Sequence, residues 1–463
     1  MKRLISLLIV LIMLLSFTVA NAYEFETTLD AAHVNETKIN LTNLDLDGTL
    51  QPGMYEGKTI RVATTTGDYV DSMNEFAEVF KDLTGGTVEI ISIADDFYPK
   101  VELGLAQGHT YDIVIMPPAY IHSFAAAGYI ADLSPLIEQY AAPDFDQPDF
   151  IPGLWNVYSE YNNQKVAFPY KADVEFFFYR KDLFEDPAVQ QQYRDWSNGE
   201  ELAVPKTIDE MVKVASFFTK SINPDSPIEY GFCSQMGDCT RFSWFNILCS
   251  MGGKEVNEDY SLGFKDGTGV KALDVMCELA KCAPADWLTF DWDLANSFYA
   301  QGNAAMMWQW PGLASVCNQE GSPTAGKVGY DIIPGSSPIL GGWALGIASD
   351  SAELEMAFKF CEMVTSKDGE IMKIKYTFDP CRTSNYSCEG VEDLYEFYPV
   401  LLESLAHAKQ LANTDVPYVA TEVADVEERY LHDAIAGDIT TEEAVDLMVT
   451  EIEQIINDML EDQ

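Results

Sequence analysis

The sequence predicts an α/β protein built in two lobes. From Lys58 onward, apolar runs of strand length alternate with segments of helical period, an order that builds a parallel sheet with helices on its faces. The chain has 463 residues, more than one hydrophobic core ordinarily organises, so two domains are expected. A third observation concerns residues 301–312, which read QGNAAMMWQWPG. A small-residue turn feeds a short apolar strand that ends in Trp308 and Trp310. Side chains two apart on a strand share a face. The pair therefore either packs in the core or forms an aromatic wall for a ligand.

The elements follow in order. Lys2 and Arg3 precede an apolar run from Leu4 to Val19 and the small-residue sequence Ala20-Asn21-Ala22. That is the pattern of a secretory signal peptide (residues 1–22) cleaved after Ala22, and the run is short for a membrane span. No cysteine follows it to carry a lipid. The mature protein is expected to be exported, either periplasmic or extracellular and associated with the cell surface. Residues 23–57 are polar and weakly periodic, and read as an acidic flexible leader. They hold two glycosylation-type sequons, at Asn35 and Asn40, and the turn Asp45-Leu46-Asp47-Gly48.

Thr59 to Ala63 alternates like a strand. Thr64 to Asp68 then turns into a helix with Met73, Phe76, Ala77 and Phe80 on one face. Thr87 to Ile91 reads as a second strand, Tyr98 to Ala106 as a second helix, and Tyr111 to Met116 as a third strand. Ligands of such sheets sit beyond the carboxyl ends of the strands. The loops starting at Thr65 and Pro117 are therefore the expected site. From Pro205 onward helices dominate. Thr207 and Glu210 have the spacing of a capping box, and Thr440 caps a final helix.

The charge is strongly acidic, formally −46, which makes nucleic acid and anionic membranes poor partners. Nine cysteines in an exported chain suggest some disulfides. Cys233 with Cys239, Cys381 with Cys388, and Cys277 with Cys282 are the nearest local loops, and the odd count leaves at least one thiol over. No C-x-x-C pair or histidine cluster supports zinc. No metal or cofactor is expected.

Several ordered motifs carry a family likeness. Tyr111-Asp112-Ile113-Val114 is followed by Phe124 to Leu133, reading FAAAGYIADL. Ala167-Phe168-Pro169-Tyr170 leads to Phe178-Tyr179-Arg180-Lys181-Asp182-Leu183-Phe184. Pro205 to Ala215, Gly302 to Trp310, Gly341 to Phe360 and Ile435 to Ile452 continue the series. In this order the chain resembles the maltose-binding-like solute-binding proteins of ABC sugar importers, from Lys58 to the C-terminus. The resemblance implies a two-lobe periplasmic-binding-protein-like fold of type II, with the ligand in the cleft between lobes. It implies a non-enzymatic monomer that captures a carbohydrate by hinge closure and delivers it to ABC permease subunits. Lobe 1 is expected over 58–170 and 344–384, lobe 2 over 171–343 and 385–463. Crossings are expected near Pro169 to Asp173, near Gly342, and between Pro380 and Cys388. The missing lipid-anchor cysteine, the long leader and the nine cysteines depart from the family's usual pattern.

A sugar offers apolar C–H faces and a hydroxyl rim, so it needs stacking aromatics and bidentate polar groups. Trp310 and Trp343 are the expected stacking residues, with Tyr120, Tyr170 and Trp244 as further aromatics. Asp68 and Asp173 are the expected carboxylates, and Arg382 a hydroxyl clamp. Core packing, helix capping and surface ion pairing are the competing roles for these types, and Trp244 in particular reads as buried. Other functions remain open at this level: a polyamine or iron-type solute-binding protein, a sensory ligand-binding protein, or a secreted glycosidase using two opposed carboxylates. No nucleophile elbow, HExxH or P-loop is present.

Overall fold

The computed structural model describes residues 24–30, 36–411, 416 and 419–461. The expected signal peptide lies outside the described residues, as does Asn35 of the first sequon.

The segment expected to be a flexible leader is folded. Strands β1 (Phe25–Asp30) and β2 (Glu36–Leu41) form an antiparallel ribbon. Leu29, Leu41, Leu44, Leu46, Leu50 and Tyr55 are buried against the body. Backbone amides of Thr42 and Asn43 both donate to the Asp368 carboxylate. Six widely spaced apolar residues do not make a period, so the sequence pattern concealed a segment whose core is supplied by its neighbours.

The first sheet has the order β4-β3-β5-β13-β8. Its strands are β3 (Thr59–Thr64), β4 (Thr87–Ser92), β5 (Ile113–Met116), β8 (Ala167–Lys171) and β13 (Trp343–Ile347). Two short strands, β6 (Glu160–Tyr161) and β7 (Gln164–Lys165), form a separate hairpin between β5 and β8. All four residues of β5 are buried, as befits a central strand. Helix α1 (Asp68–Thr84) follows β3 and buries Met73, Phe76, Phe80 and Leu83. It ends on Gly85, whose φ of 78° suits the left-handed cap. Helices α2 (Phe97–Gln107) and α3 (Pro118–Ala126) follow β4 and β5.

The sheet is not wholly parallel: β13 runs antiparallel to both β5 and β8. The path of the chain explains this. It leaves the sheet at the end of β8 and returns at the start of β13, so Lys171 and Trp343 meet at the same edge, paired across the two strands.

The second sheet has the order β10-β11-β9-β12, formed by β9 (Phe176–Arg180), β10 (Tyr230–Cys233), β11 (Ala304–Gln309) and β12 (Val328–Asp331). Helices α4 (Thr240–Ser250) and α5 (Thr268–Ala280) cover it together with the antiparallel hairpin α8 (Ala420–Ala436) and α9 (Thr441–Glu461). The capping box at Thr207 and Glu210 is present, and the Thr440 hydroxyl accepts from the Glu443 amide.

Two passages join the sheets between β8 and β9 and between β12 and β13. They bond to one another: the Gly341 amide donates to the Asp173 carbonyl, and Glu175 to Ile339. Ala172 bridges Asp379, and Ile339 bridges Lys409. A third passage lies between residues 383–387, which pack on α7 (Lys367–Lys373), and Phe397, which packs on Phe176 of β9. Between β13 and α7, α6 (Leu354–Val364) is buried along its length. Gly342 sits at the junction with φ 96°, and a Cβ there would stand 2.1 Å from the Tyr158 hydroxyl. Only glycine fits both the backbone angle and the close approach.

No disulfide links any of the nine cysteines, contrary to expectation. Five of them are buried and separately packed on the two sheets' helices and strands. In each of the three local pairs one cysteine is buried (Cys233, Cys282, Cys381) while the other is partly exposed (Cys239, Cys277, Cys388). Among the described residues, no helix is long and apolar enough to cross a membrane.

Candidate functional site

A cavity of about 1270 Å³ opens between the two sheets, at the carboxyl ends of their strands. From the first sheet come Thr66, Asp68 and Tyr69 after β3, Pro117 to Tyr120 after β5, and Lys171 and Asp173 at the end of β8. The second sheet contributes Gln235 after β10, Arg241 and Phe242 of α4, and Trp310 after β11. The crossings supply Gly341, Gly342, Trp343 and Phe378 as a floor, and α8 lines one side with Asp425, Glu428 and Arg429. The switch-point rule places a ligand here for a purely geometric reason: backbone and loops diverge only beyond the strand ends.

Aromatic rings form three groups on this surface. Tyr69 contacts Trp343 and Phe378, each at 4.7 Å between centroids. Tyr98 stacks on Tyr120 at 3.9 Å with planes 2° apart. Trp310 meets Phe242 edge-on at 5.9 Å. Trp310 lies over Gly341, where a Cβ would approach its ring to 2.4 Å, so the glycine makes room for the indole.

The charged groups are concentrated at the floor. Lys171 pairs with Asp173 at 2.8 Å, both little exposed, and its ammonium stands 5.4 Å from the Phe378 ring centroid. Burial raises the Asp173 carboxyl, and Lys171 pulls it back down. Asp68 opens α1 at the positive end of the helix dipole. Burial and then the neighbouring Asp71 raise it. On the far wall Arg241 lies 3.7 Å from Glu427 and 3.8 Å from Glu428. Burial pushes Glu428 up to about 7, with Arg241 opposing.

Five of the eight residues singled out in the sequence meet in this cavity: Asp68, Tyr120, Asp173, Trp310 and Trp343. The other three do not. Tyr170 is fully buried on β8, with its hydroxyl donating to Ser72 and Lys373 over its ring. It alternates with Lys171, and only the latter side of the strand end faces the cleft. Trp244 is buried in α4, and its indole donates to the Gly269 carbonyl of α5. Arg382 is 2% exposed. It donates to the carbonyls of Thr365, Asp146 and Phe145 and lies 3.9 Å over the Phe150 ring. It ties the turn after α6 to residues 145–150, and it does not line the cavity. Trp308, on β11 two residues before Trp310, is likewise core, donating to Ser243.

Sequence reasoning missed Tyr69 as a stacking residue, Lys171, Tyr98, Phe242, Phe378 and the polar face of α8. Tyr69 lies in the loop after the first strand where a ligand was expected, and Lys171 lies between the chosen Tyr170 and Asp173. The face of α8 carried no signal, because a solvated helix face reads the same.

A family model described as bacterial extracellular solute-binding protein matches residues 64–371. The chain belongs to the bacterial extracellular solute-binding proteins. A solved member, maltose-bound MalE3 from T. maritima, superposes with a TM-score of 0.71 at 26% identity, covering 86% of this chain and 100% of that one. A ribitol-bound ABC transporter solute-binding protein from Agrobacterium radiobacter K84 gives a TM-score of 0.70 at 23% identity, covering 87% and 100%. A probable ABC transporter-binding protein of Deinococcus radiodurans is 22% identical over 74% of this chain and 80% of its own length. The solute-binding family thus accounts for the two α/β lobes of type II and the cleft between them.

One buried group of this solute-binding protein makes a pH prediction. Burial raises Glu175 from 4.5 to about 8, with Asn246 donating in partial compensation. The folded state then keeps a proton that the unfolded chain loses. Stability falls as pH rises from 4.5 and levels off above about 8. Glu175→Gln cannot lose that proton, and its amide oxygen still accepts from Asn246. The variant is expected to melt above the parent at the alkaline end of this range and near it at the acid end. Parallel melting curves across pH would show that Glu175 carries no such linkage.

Proposed function

We propose that the protein captures a carbohydrate (a sugar, oligosaccharide or polyol) in this cleft by hinge closure and delivers it to the permease of an ABC importer. The observation that carries this is the lining of one cleft by Trp343, Asp173 and Asp68 from the first sheet and its crossings together with Trp310 from the second sheet. An aromatic face beside carboxylates matches a ring with apolar faces and a hydroxyl rim. The maltose of the T. maritima relative supports the same class. Closing the lobes would exclude water and strengthen each polar contact.

We read the lobes as 58–170 with 344–384 and 171–343 with 385–463. The crossings that bond to one another at residues 172–175 and 339–341 are the hinge. The protein acts as an exported monomer without cofactor, releasing its ligand unchanged.

Melting shifts against a panel of sugars and polyols test this. A ligand at about 100 times its dissociation constant should add about 2.7 kcal/mol. A shift with the saccharide recovered intact is expected. A saccharide consumed during the assay, or no shift with any, would defeat the reading.

A further inference from the structure

One pair of side chains reaches across the cleft without belonging to any crossing. Tyr120 lies in the first turn of α3, beside the first sheet, and Thr421 in the first turn of α8. Their hydroxyls are hydrogen-bonded to one another. Helix α8 packs on α4 and α5, which cover the second sheet. The bond therefore ties one lobe to the other through residues outside the hinge.

The contacts around this bond support it. Tyr98 of α2 stacks face to face on Tyr120 at 3.9 Å, with planes 2° apart. The stack covers one face of the Tyr120 ring and fixes the direction of its hydroxyl. From the second lobe, Arg241 of α4 lies within electrostatic reach of the Tyr120 hydroxyl, and Cys239 within reach of the Tyr98 hydroxyl. All five side chains line the cavity. A tyrosine serving only the ligand would keep its hydroxyl for the sugar's rim, whereas the hydroxyl of Tyr120 is engaged by the opposite lobe.

We propose that Tyr120 and Thr421 form a clasp that favours the closed cleft by a bond between the lobes themselves, and so act as positioning residues for capture. The proposal rests on the hinge-closure reading above and assigns part of the closing free energy to the protein. A ligand shifts two conformations only by its differential affinity for them. A bond made between lobes shifts the same balance before any ligand enters, and raises the share of molecules already closed.

Cys239 reports opening with no ligand added. Its thiol is partly exposed and lines the cleft, so its alkylation by iodoacetamide follows the fraction of open molecules. Cys388 is also partly exposed but does not line the cavity, and serves as the control. Both rates are read by peptide mass spectrometry on the purified full chain. Tyr120→Phe keeps the ring and its stack and deletes only the hydroxyl. Thr421→Val removes the partner from the opposite lobe at nearly constant size. Each is expected to speed alkylation of Cys239 about two- to ten-fold, the worth of one neutral hydrogen bond, with Cys388 unchanged. Thr421→Ser keeps a hydroxyl and should restore the parent's rate. The double variant should match either single, because both remove the same bond. An unchanged Cys239 rate in either single variant, or effects that multiply in the double, would overturn the clasp. So would an equal rise at Cys388, the sign of general loosening. None of these outcomes bears on the carbohydrate reading, which the melting panel decides on the parent protein.

Discussion

Trp343→Ala is expected to weaken ligand binding by roughly 30-fold to 1000-fold, the cost of about 2–4 kcal/mol typical of a central aromatic anchor. The side chain opens β13 at the cleft floor and contacts Tyr69 at 4.7 Å. Its truncation removes a stacking face and also loosens Tyr69, which keeps its ring contacts with Phe378 and Tyr170. Because the tryptophan is half-buried rather than core, the fold should survive. Trp343→Phe should recover part of the affinity, since a smaller ring still stacks. Calorimetry with the ligand found in the melting panel checks this. Affinity within about three-fold of the parent, under 1 kcal/mol, would mean that Trp343 does not touch the ligand.

The second large effect is on stability. Arg382→Ala is expected to cost about 3–5 kcal/mol, the usual penalty for removing one partner from a buried charged network. Three carbonyls, those of Thr365, Asp146 and Phe145, would lose their donor. The Phe150 ring would lose the guanidinium packed on it, and Glu370 a nearby positive charge. Arg382→Lys should be nearly as damaging, because an ammonium cannot reach three acceptors in a planar fork. Denaturant unfolding measures the loss. In the fraction that still folds, ligand affinity should match the parent's. A stable Arg382→Ala protein with weakened binding would restore this arginine to the ligand site.

These two residues show where reading a sequence succeeds and fails. Trp343 and Arg382 were both chosen as ligand contacts from motif position. Trp343 begins a strand at the sheet edge where chains diverge, and a side chain there has open space before it. Arg382 lies only a few residues beyond Phe378, which lines the cleft, yet it turns inward. Nothing in composition tells an arginine that clamps a sugar from one that clamps backbone carbonyls, since both uses exploit the same five donors. The tryptophans around the end of β11 divide in the same way. Trp308 lies within the strand and Trp310 just past its end.

The folded ribbon of residues 25–30 and 36–41 and the lack of disulfides have a common origin. Both depend on which distant surface a segment meets. Leu29 and Leu41 are buried by the body of the protein and not by any regular pattern of their own. Cys233 and Cys239, six residues apart, sit on a buried strand and in the cleft lining. Neighbours in sequence need not be neighbours in direction.

Local periodicity and loop position determined the α/β class, the order of strands and helices, the caps at Thr207 and Thr440, and the edge of the sheet at which a ligand belongs. These are consequences of backbone geometry within a dozen residues, which short-range sequence encodes. The tertiary structure alone decided that β13 runs antiparallel and that α8 walls the cleft. It also decided that Tyr170, Trp244 and Arg382 are core. Those outcomes depend on contacts between residues hundreds of positions apart, where burial and available partners, not residue type, set the role of each side chain.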